Sequence, residues 1–422
     1  FPNVDMEAAA AGRFRSRYWE GLHDALCAAA ARTPVRWLFI RFPSPQMDLA
    51  GCIRMRDRFR AAHQDGVSFH YLEEFLTAAD LRAAWKRYLR LTWTSRRLEA
   101  AMRGLCRFEG SRLDFWPYMA DDWAETFRGW RCLERCLQQR GIDNYVKAAG
   151  PQRWFTFPLE NCPWERMLTH AAHTTPGAGG PVYGAQHSTI RPTDFRYFDD
   201  PATFTDSACA AFQPDRICAN GQGALRQWQA AGVPQERLEL VEALRYMYLA
   251  DARNAAVPAQ EGQPPRRLLV VTGFFADETA DHVRLLARAV HAGLLDGWEI
   301  VVKPHPYLAV EADLRHELGA RAGCLRFAEG PVATLLVPGT VVWSSASTTV
   351  VLEAALKKLP VMVMLPSDGF DLCPLQDVPG LLRTGSLDDV RRALACAAPP
   401  ALPDDYLELQ PGLPRWRALL EL

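Results

Sequence analysis

The sequence lacks the features of membrane-spanning, secreted and nucleic-acid-binding proteins. It has no run of about 18 apolar residues, the length that a membrane-spanning helix needs. Its opening residues carry no basic segment followed by an apolar one, so we expect no secretory signal peptide there. Lysine and arginine total 48 against 49 aspartate and glutamate residues, a formal net charge of −1. Bulk electrostatics therefore do not favour a nucleic-acid partner.

The cysteines form no disulfide or zinc pattern. There are 11 of them, an odd number, at scattered positions. No CxxC pair occurs, and no Cys/His cluster has the spacing of a zinc site. We therefore expect reduced thiols and a cytoplasmic protein. No GxGxxG follows a predicted strand either, which argues against a dinucleotide-dependent enzyme.

The length and the local composition predict two domains. A chain of 422 residues exceeds one ordinary hydrophobic core. The stretch 256–266 is rich in Ala, Pro and Gln without apolar periodicity, and we predict a linker there. The first domain would then be 1–255, with a helical section at about 53–140. The second would be 267–398, followed by a C-terminal tail, 399–422, that could cross back onto the first domain.

Apolar runs alternate with helical patterns in both halves, which predicts an α/β fold with parallel sheets. We predict a helix at 6–32 and an acidic loop at 276–279. The helical section holds five tryptophans that could line a substrate groove but that we expect to be core residues: Trp85, Trp93, Trp116, Trp123 and Trp130. The predicted strands lie at 35–42, 153–157, 182–185, 214–219, 238–241, 268–272, 299–302, 340–343 and 360–365.

Two polar clusters follow neighbouring strands of the second half and predict a phosphate site. Lys303 and His305 end one strand, with His305 held between two prolines. Such cationic side chains suit an anionic group. A cluster of hydroxyl residues, 344–349, ends the next predicted strand and begins a helix, whose free N–H groups also attract anions. Ligands of open α/β sheets bind at this edge.

These motifs resemble the nucleotide-binding half of bacterial GT-B glycosyltransferases that use CMP-activated sugars. Such families include Kdo transferases and HP-motif sialyltransferases of capsule, O-antigen and lipopolysaccharide assembly. In the first half, further motifs resemble surface-carbohydrate biosynthesis proteins. They are Glu160-x-x-x-Trp164-Glu165, Tyr183-Gly184-Ala185-Gln186-His187-Ser188, Arg196-Tyr197-Phe198, Pro214-Asp215, Asn220-Gly221 and Glu242-Ala243-Leu244-Arg245-Tyr246.

The resemblance implies two Rossmann-like domains that face a cleft, in the GT-B arrangement. The C-terminal domain would hold a CMP-activated, Kdo-like or nonulosonic acid sugar, and the N-terminal domain the glycan acceptor. The sequence has no DxD motif, the usual metal site of the other glycosyltransferase architecture, so we predict no metal and no further cofactor. The predicted donor-binding residues are Gly273, Lys303, His305, Pro306, Ser344, Ser345, Ser347, Thr348 and Glu353.

The catalytic group is expected on the facing domain. Glu160 follows a strand and precedes a helix, where an aromatic wall would raise its pKa for acid/base work. His187 is the alternative base. By the resemblance to retaining Kdo transferases, Asp277 is a candidate nucleophile, although its surroundings depart from the family pattern. Supporting residues are Glu165, Gln186 and Arg245.

Other functions remain open at this point. A GT-B enzyme could use a UDP or GDP sugar instead. The chain could also be a non-catalytic nucleotide- or carbohydrate-binding module, or a scaffold that docks through its Arg/Trp-rich helices. Peripheral association with the inner membrane face is a further expectation, through the basic helix 54–60.

Overall fold

The fold is described from a computed structural model. The predicted linker, 256–266, lies outside the described residues except for Arg266. The structure describes residues 4–41, 48–62, 65–250, 266–366, 368–376, 378–396 and 398–422.

The strands of the described residues are short and mostly buried. All predicted strands are present within a few residues of their expected bounds, and β2, β9 and β12 were not predicted. The strands are β1 Val35–Phe39, β2 Val67–Tyr71, β3 Phe155–Pro158, β4 Val182–Ala185, β5 Arg216–Ala219, β6 Leu238–Leu240, β7 Arg267–Val271, β8 Glu299–Lys303, β9 Leu325–Phe327, β10 Thr340–Ser345, β11 Val361–Met364 and β12 Leu382–Thr384.

Helices fill most of the segments between the strands. Short 3₁₀ turns occur at Leu72–Phe75, Phe195–Tyr197, Gln235–Arg237, Leu244–Leu249, Gly319–Cys324 and Val332–Thr334. The α-helices are Met6–Ala10, Glu20–Ala29, Leu49–Ala61, Ala78–Leu105, Trp116–Arg128, Trp130–Ala149, Pro163–Thr174, Ala202–Thr205, Ser207–Ala210, Gln222–Ala230, Ala276–His291, Glu311–Leu318, Val350–Leu356, Leu387–Ala395 and Pro414–Leu420.

The second half forms a six-stranded parallel sheet of order β12-β11-β10-β7-β8-β9. Its strands are continuous apolar runs because helices cover both faces. The chain moves outward from β7 to β8 and β9, and then returns to the other side of β7 to form β10. The strand order therefore reverses between β7 and β10, the place where a crevice opens at the carboxyl edge of such sheets.

The first half forms a four-stranded parallel sheet, β3-β4-β5-β6, beside a parallel pair of β1 and β2. Helices and the β1–β2 pair bury its two faces. Two parallel sheets with crossover helices, and a helical section within the first half, confirm the predicted class: an α/β fold with two Rossmann-like units in the GT-B arrangement.

Two local predictions were wrong. The expected helix at 6–32 is two helices, because the chain turns at Gly12 (φ 80°) and Ser16 pairs with Val4 in an isolated bridge. The expected acidic loop at 276–279 is the first turn of helix Ala276–His291. Acidic residues favour a helix N-terminus, which explains this placement.

The helical section forms a helical hairpin whose outer side chains are exposed rather than buried in a core. Thr77 and Asp80 begin its longest helix with a capping box. The prediction that its tryptophans are core residues was wrong for Trp85, Trp93 and Trp130, which are all more than half exposed.

The C-terminal tail packs on the first sheet. Ala243 N–H donates to Glu408 O over 2.8 Å, and Glu408 N–H donates to Asn220 O over 3.0 Å. The buried Glu242 carboxylate accepts backbone bonds from Arg415 (2.9 Å) and Trp416 (3.1 Å) at the start of the last helix. A carboxylate at a helix N-terminus stabilises both groups.

Candidate functional site

The two sheets meet at their carboxyl edges. The segment after β4 contributes Arg191, which donates to Ser347 O after β10 over 2.5 Å. It also contributes Thr193, whose hydroxyl donates to Asp371 O after β11 over 3.1 Å. The loops that follow the strands of both sheets therefore line one cleft, as the fold predicts.

On the first sheet, Glu160 and His187 come together. They follow the neighbouring strands β3 and β4, and Glu160 Oε1 lies 3.0 Å from His187 Nε2. The Tyr18 ring is tilted by 34° against the imidazole, with 4.5 Å between the ring centroids, and its hydroxyl helps to lower the pKa of Glu160. The Glu160 side chain is 39% exposed, whereas that of His187 is only 10% exposed. Glu160 is thus the member of the pair that a substrate can reach.

The electrostatics of Glu160 differ from the expectation. The His187 hydrogen bond lowers the pKa of Glu160 against the opposing effect of burial, and Arg196 lowers it further. The predicted rise of this pKa was wrong, because hydrogen bonds to the charged form outweigh the aromatic surroundings. At neutral pH Glu160 is an ionised carboxylate, a state that suits a proton acceptor.

Glu165 supports this loop from below and is buried. Its carboxylate accepts the backbone N–H groups of Glu160 (3.1 Å) and Asn161 (2.9 Å). Burial nevertheless raises the pKa of Glu165 to about 7, against those backbone hydrogen bonds. Asn161 has a left-handed φ of 58°, so the loop turns sharply between β3 and the helix. Glu165 therefore positions Glu160 without facing the cleft.

Gln186 has a similar internal role. Its amide donates to Ser188 O over 2.8 Å and accepts the Trp228 indole N–H over 3.0 Å. These bonds hold the loop that carries His187. A supporting position was predicted for Gln186, and its side chain is buried in that position.

Several buried polar atoms at this edge have no hydrogen-bond partner among the described residues. Buried polar groups are ordinarily satisfied by protein, water or ligand. Clustering of such atoms beside the Glu160 loop therefore favours a polar ligand in the cleft. The atoms are Asn161 Nδ2, His187 Nδ1, Thr189 Oγ1 and Arg191 Nε.

The serine hydroxyls of the cluster on the second sheet are buried and bond to other protein groups. Ser344, Ser345 and Ser347 are buried. Ser344 Oγ lies 2.7 Å from Thr348 Oγ1, and Ser345 Oγ lies 3.0 Å from His282 Nδ1. Each serine hydroxyl already has a protein partner, so a phosphate would have to share or displace that partner, and the predicted donor-binding role of these serines stays a prediction. Thr348 is half-buried at the cleft side.

Glu278 occupies the place that was predicted for an anion. Its carboxylate accepts the Ser347 N–H over 3.0 Å and the Ser347 hydroxyl. Gly273 makes room for this contact, because a Cβ there would lie 2.4 Å from Ser347 Oγ and 2.5 Å from Glu278 Oε2. Burial raises the pKa of Glu278. Gly273 is thus a packing requirement, and sequence analysis missed Glu278 because its partner lies 69 residues away.

His305 and Lys303 lie beside an aromatic surface at the carboxyl ends of β7 and β8. The His305 ring is 5.7 Å from Phe274 and 5.4 Å from Tyr307. Burial and Lys303 lower the pKa of His305, which favours its neutral form. Phe274, Phe275 and Tyr307 are well exposed. Sequence analysis did not identify these three rings as a set, although two of them form a Phe-Phe pair directly after Gly273.

Arg245 acts electrostatically on one residue of each half of the chain. It lowers the pKa of Tyr18 on the first sheet, where burial prevails and raises it to about 12. It also acts on Glu353 of the second sheet, whose pKa is raised by burial. The Glu353 carboxylate accepts the Tyr248 hydroxyl, so it is buried and paired. A donor hydroxyl that contacts Glu353 would have to share this buried carboxylate with Tyr248.

Two further predicted residues are exposed. Asp277 lies in the first turn of its helix, and Pro306 lies between His305 and Tyr307. The structure gives neither a partner in the Glu160 cluster.

The described residues contain no group of three or more His, Cys, Asp or Glu residues arranged to hold a metal ion. The absence of a metal stays a prediction. All 11 cysteines are unpaired, as expected. None of the described helices is long and apolar enough to cross a membrane.

Comparisons with known proteins give likenesses of fold only. No family model matches this chain, and no curated protein matches it. At the identities and TM-scores that follow, the similar solved structures carry no argument about function. Among them are UDP-GlcNAc 2-epimerase from Methanocaldococcus jannaschii (11% identity, 68% of this chain and 79% of the other, TM-score 0.43), the UDP-forming α,α-trehalose-phosphate synthase of Burkholderia vietnamiensis (11%, 92% and 91%, 0.44) and Anabaena HepE in complex with UDP and glucose (13%, 86% and 89%, 0.40).

Proposed function

We propose that this protein is a glycosyltransferase that moves a sugar from a nucleotide donor to a glycan acceptor in the cleft between its two sheets. The observation that carries the proposal is the ionised Glu160 carboxylate, held by His187 and Tyr18 at the cleft. An accessible, ionised carboxylate at the carboxyl edge of a sheet suits a general base.

In this proposal Glu160 removes the proton of the acceptor hydroxyl. The acceptor oxygen then attacks the anomeric carbon, and the bond from that carbon to the nucleotide phosphate breaks. His187 orients the carboxylate and stabilises its charge. Negative charge develops on the leaving phosphate, where fixed cations lower the barrier.

The donor nucleotide is proposed to lie on the second sheet, against the aromatic surface beside His305. Phe274, Phe275 and Tyr307 offer exposed faces to a base or a sugar. Among the described residues, no acceptor pairs with the Lys303 ammonium, which leaves it available to a phosphate. Thr348 and Arg245 would complete the phosphate surroundings. The closed serine cluster would position these groups without touching the donor.

Two donor classes are candidates. The hypothesis of a CMP-activated Kdo-like or nonulosonic acid sugar rests on the sequence motifs alone, and the comparisons give it no support. The UDP-sugar alternative is in keeping with the UDP-forming and UDP-bound proteins named above. A role in O-antigen, capsule or lipopolysaccharide assembly belongs to the CMP-sugar hypothesis.

A melting-temperature panel with CMP, CDP, UMP, UDP and GDP tests donor binding. A nucleotide at about 100 times its dissociation constant should stabilise the protein by roughly 2.7 kcal/mol. Nucleotide release from CMP-Kdo, CMP-sialic acid, UDP-glucose and UDP-GlcNAc then tests turnover. Stabilisation by one nucleotide with release from the matching sugar supports the proposal. No stabilisation and no release with any of them overturn it and favour a scaffold.

The matched variants are Glu160→Gln and Glu299→Gln. Glu299 begins β8 at the opposite edge of the second sheet and pairs with Arg267 and Arg326. The proposal expects Glu160→Gln to slow release by about 10²–10⁴-fold while nucleotide stabilisation persists. Glu299→Gln should leave both measurements unchanged. Equal activity of both variants would remove Glu160 from the chemistry.

A further inference from the structure

The outer face of helix Ala78–Leu105 interleaves large apolar and basic side chains. Leu81, Trp85, Leu89 and Trp93 recur every four residues, so they form one row along the helix. We call this row, together with the adjoining cations Arg82, Lys86, Arg90 and Arg97, the basic aromatic face.

This face has no partner in the described part of the chain. The opposite side of the helix packs on the rest of the hairpin: Tyr88 Oη donates to Arg128 O over 2.6 Å, and Ala84 lies in a small core with Cys132 and Cys136. Trp85 and Trp93 are 51% and 55% exposed. Exposed apolar surface of this extent ordinarily marks an interaction site.

The charge of the face has one sign. The helix carries seven basic and two acidic residues. Asp80 is buried against Arg140 and Asn144, and Glu99 pairs with Arg103 and Arg128. Neither acid therefore neutralises the outer face. Among the described residues, no ion pair forms with Arg82, Lys86, Arg87, Arg90, Arg96 or Arg97.

The apolar character continues to the tip of the hairpin. Leu105 and Leu113 are 73% and 64% exposed, and Phe108 is exposed beside them. The helix spans about 42 Å at 1.5 Å per residue. The face and the tip together offer a long surface on which cations alternate with tryptophan, phenylalanine and leucine.

The basic helix that was predicted to bind a membrane differs from this face. In helix Leu49–Ala61, Arg56 and Arg60 both pair with Glu74, at 2.8 Å. Arg54 approaches Asp48 at 4.0 Å. Because Arg56 and Arg60 pair with acidic side chains, we expect this helix to bind an anionic surface more weakly than the basic aromatic face does.

We propose that the basic aromatic face docks the protein onto an anionic lipid surface. Arginine and lysine attract anionic headgroups, tryptophan favours the headgroup region, and leucine enters the acyl boundary. The Arg97 guanidinium stacks 3.3 Å from the Trp93 ring centroid, which places cation and ring at one depth. The leucines distinguish this surface from a nucleic-acid site, where aromatic rings stack on bases. The inference is independent of the proposed enzymatic function.

Co-sedimentation with vesicles tests the docking. One set contains phosphatidylcholine alone, and the other contains phosphatidylglycerol and phosphatidylcholine in equal parts. We expect the protein to pellet with the anionic vesicles, to remain in solution with the neutral ones, and to dissociate as salt rises. Pelleting with neither set, or equally with both, overturns the proposal.

Paired variants locate the surface. The double variant Arg82→Glu/Arg90→Glu should weaken vesicle partitioning by more than about tenfold, and Trp85→Ser/Trp93→Ser should also weaken it. The control, Arg315→Glu/Arg391→Glu, makes the same change of net charge on exposed helices of the second half and should bind as the parent does. Melting temperatures check folding. If both face variants bind normally, or if a single-stranded oligonucleotide displaces the vesicles, the face does not serve lipid.

Discussion

The Arg191 guanidinium donates a hydrogen bond of 2.5 Å to the carbonyl oxygen of Ser347. The two residues follow β4 of the first sheet and β10 of the second, so this bond joins the carboxyl edges of both sheets. Burial lowers the pKa of Arg191, while Asp194 and Glu278 oppose that effect. The bond therefore links the loop that carries His187 to the Glu278–Ser347 contact across the cleft.

Replacing Arg191 tests this link. Arg191→Ala removes a charged hydrogen bond from a largely buried position, and we expect a loss of about 1.5–3 kcal/mol in the free energy of unfolding. Arg196→Ala is the control, because its exposed guanidinium pairs with Asp194 within its own loop and should cost at most about 1 kcal/mol. Urea unfolding measures both. Equal losses in the free energy of unfolding of the two variants would show that the bond between the sheets does not add to stability.

The pair of Glu160 and His187 predicts a distinctive pH dependence of turnover. His187 is the largest cause of the lowered Glu160 pKa. The kcat of the parent should therefore fall only at pH values below the ordinary glutamate range, where Glu160 becomes protonated. His187→Ala should move this acid limb to higher pH, whereas Glu160→Gln should lower kcat by about 10²–10⁴-fold at every pH.

The measurement is kcat against pH for the parent and the two variants. An unchanged acid limb in His187→Ala would contradict a positioning role for the imidazole. A merely structural role would lower kcat or stability without moving the limb.

The close approach of Gly273 to Ser347 and Glu278 predicts a steric cost. Gly273→Ala would drive a methyl group into both partners, and overpacking of this kind costs about 1–3 kcal/mol. Gly385→Ala in the same half of the chain is the control, since a Cβ there meets nothing within 4 Å. Thermal unfolding compares the two variants. If Gly273→Ala is as stable as the control, the Glu278–Ser347 contact can rearrange around the added methyl group at little cost in stability.

Glu165 predicts that stability changes with pH. Burial raises its pKa to about 7 in the folded protein, from an ordinary value of 4.5. The folded protein thus holds the proton more tightly than the unfolded chain, and this contribution to stability is lost as pH rises from 4.5 through 7. The loss is on the order of 3 kcal/mol, at 1.36 kcal/mol per pH unit.

Urea unfolding of the parent and of Glu165→Gln at pH 5 and pH 8 (roughly either side of this window) measures the effect. The variant cannot ionise, so the parent should lose more stability than the variant between the two conditions. Parallel losses in both proteins would mean that another group titrates.

The pattern of apolar runs was sufficient to predict the two parallel sheets and to place the polar groups at the carboxyl edges of their strands. Strand 182–185 has the predicted bounds, and the polar residues after β3, β4, β7, β8 and β10 all lie at carboxyl edges. Local pattern suffices here, because a continuous apolar run must be covered on both faces. Sequence analysis did not predict the short β9 or the partly buried β2, because neither is a continuous apolar run.

Tertiary structure alone decided which of those polar groups are free to bind. Ser344, Ser345 and Ser347 have the composition of an anion site, yet their partners Thr348, His282 and Glu278 close it. His282 and Glu278 lie more than 60 residues from the serines they contact. The same holds for Glu160, whose pKa depends on His187 and Tyr18. Sequence fixes which groups are present at an edge, but hydrogen bonding between distant segments decides which of them face a ligand, because each bond formed inside the protein removes a donor or acceptor from the cleft.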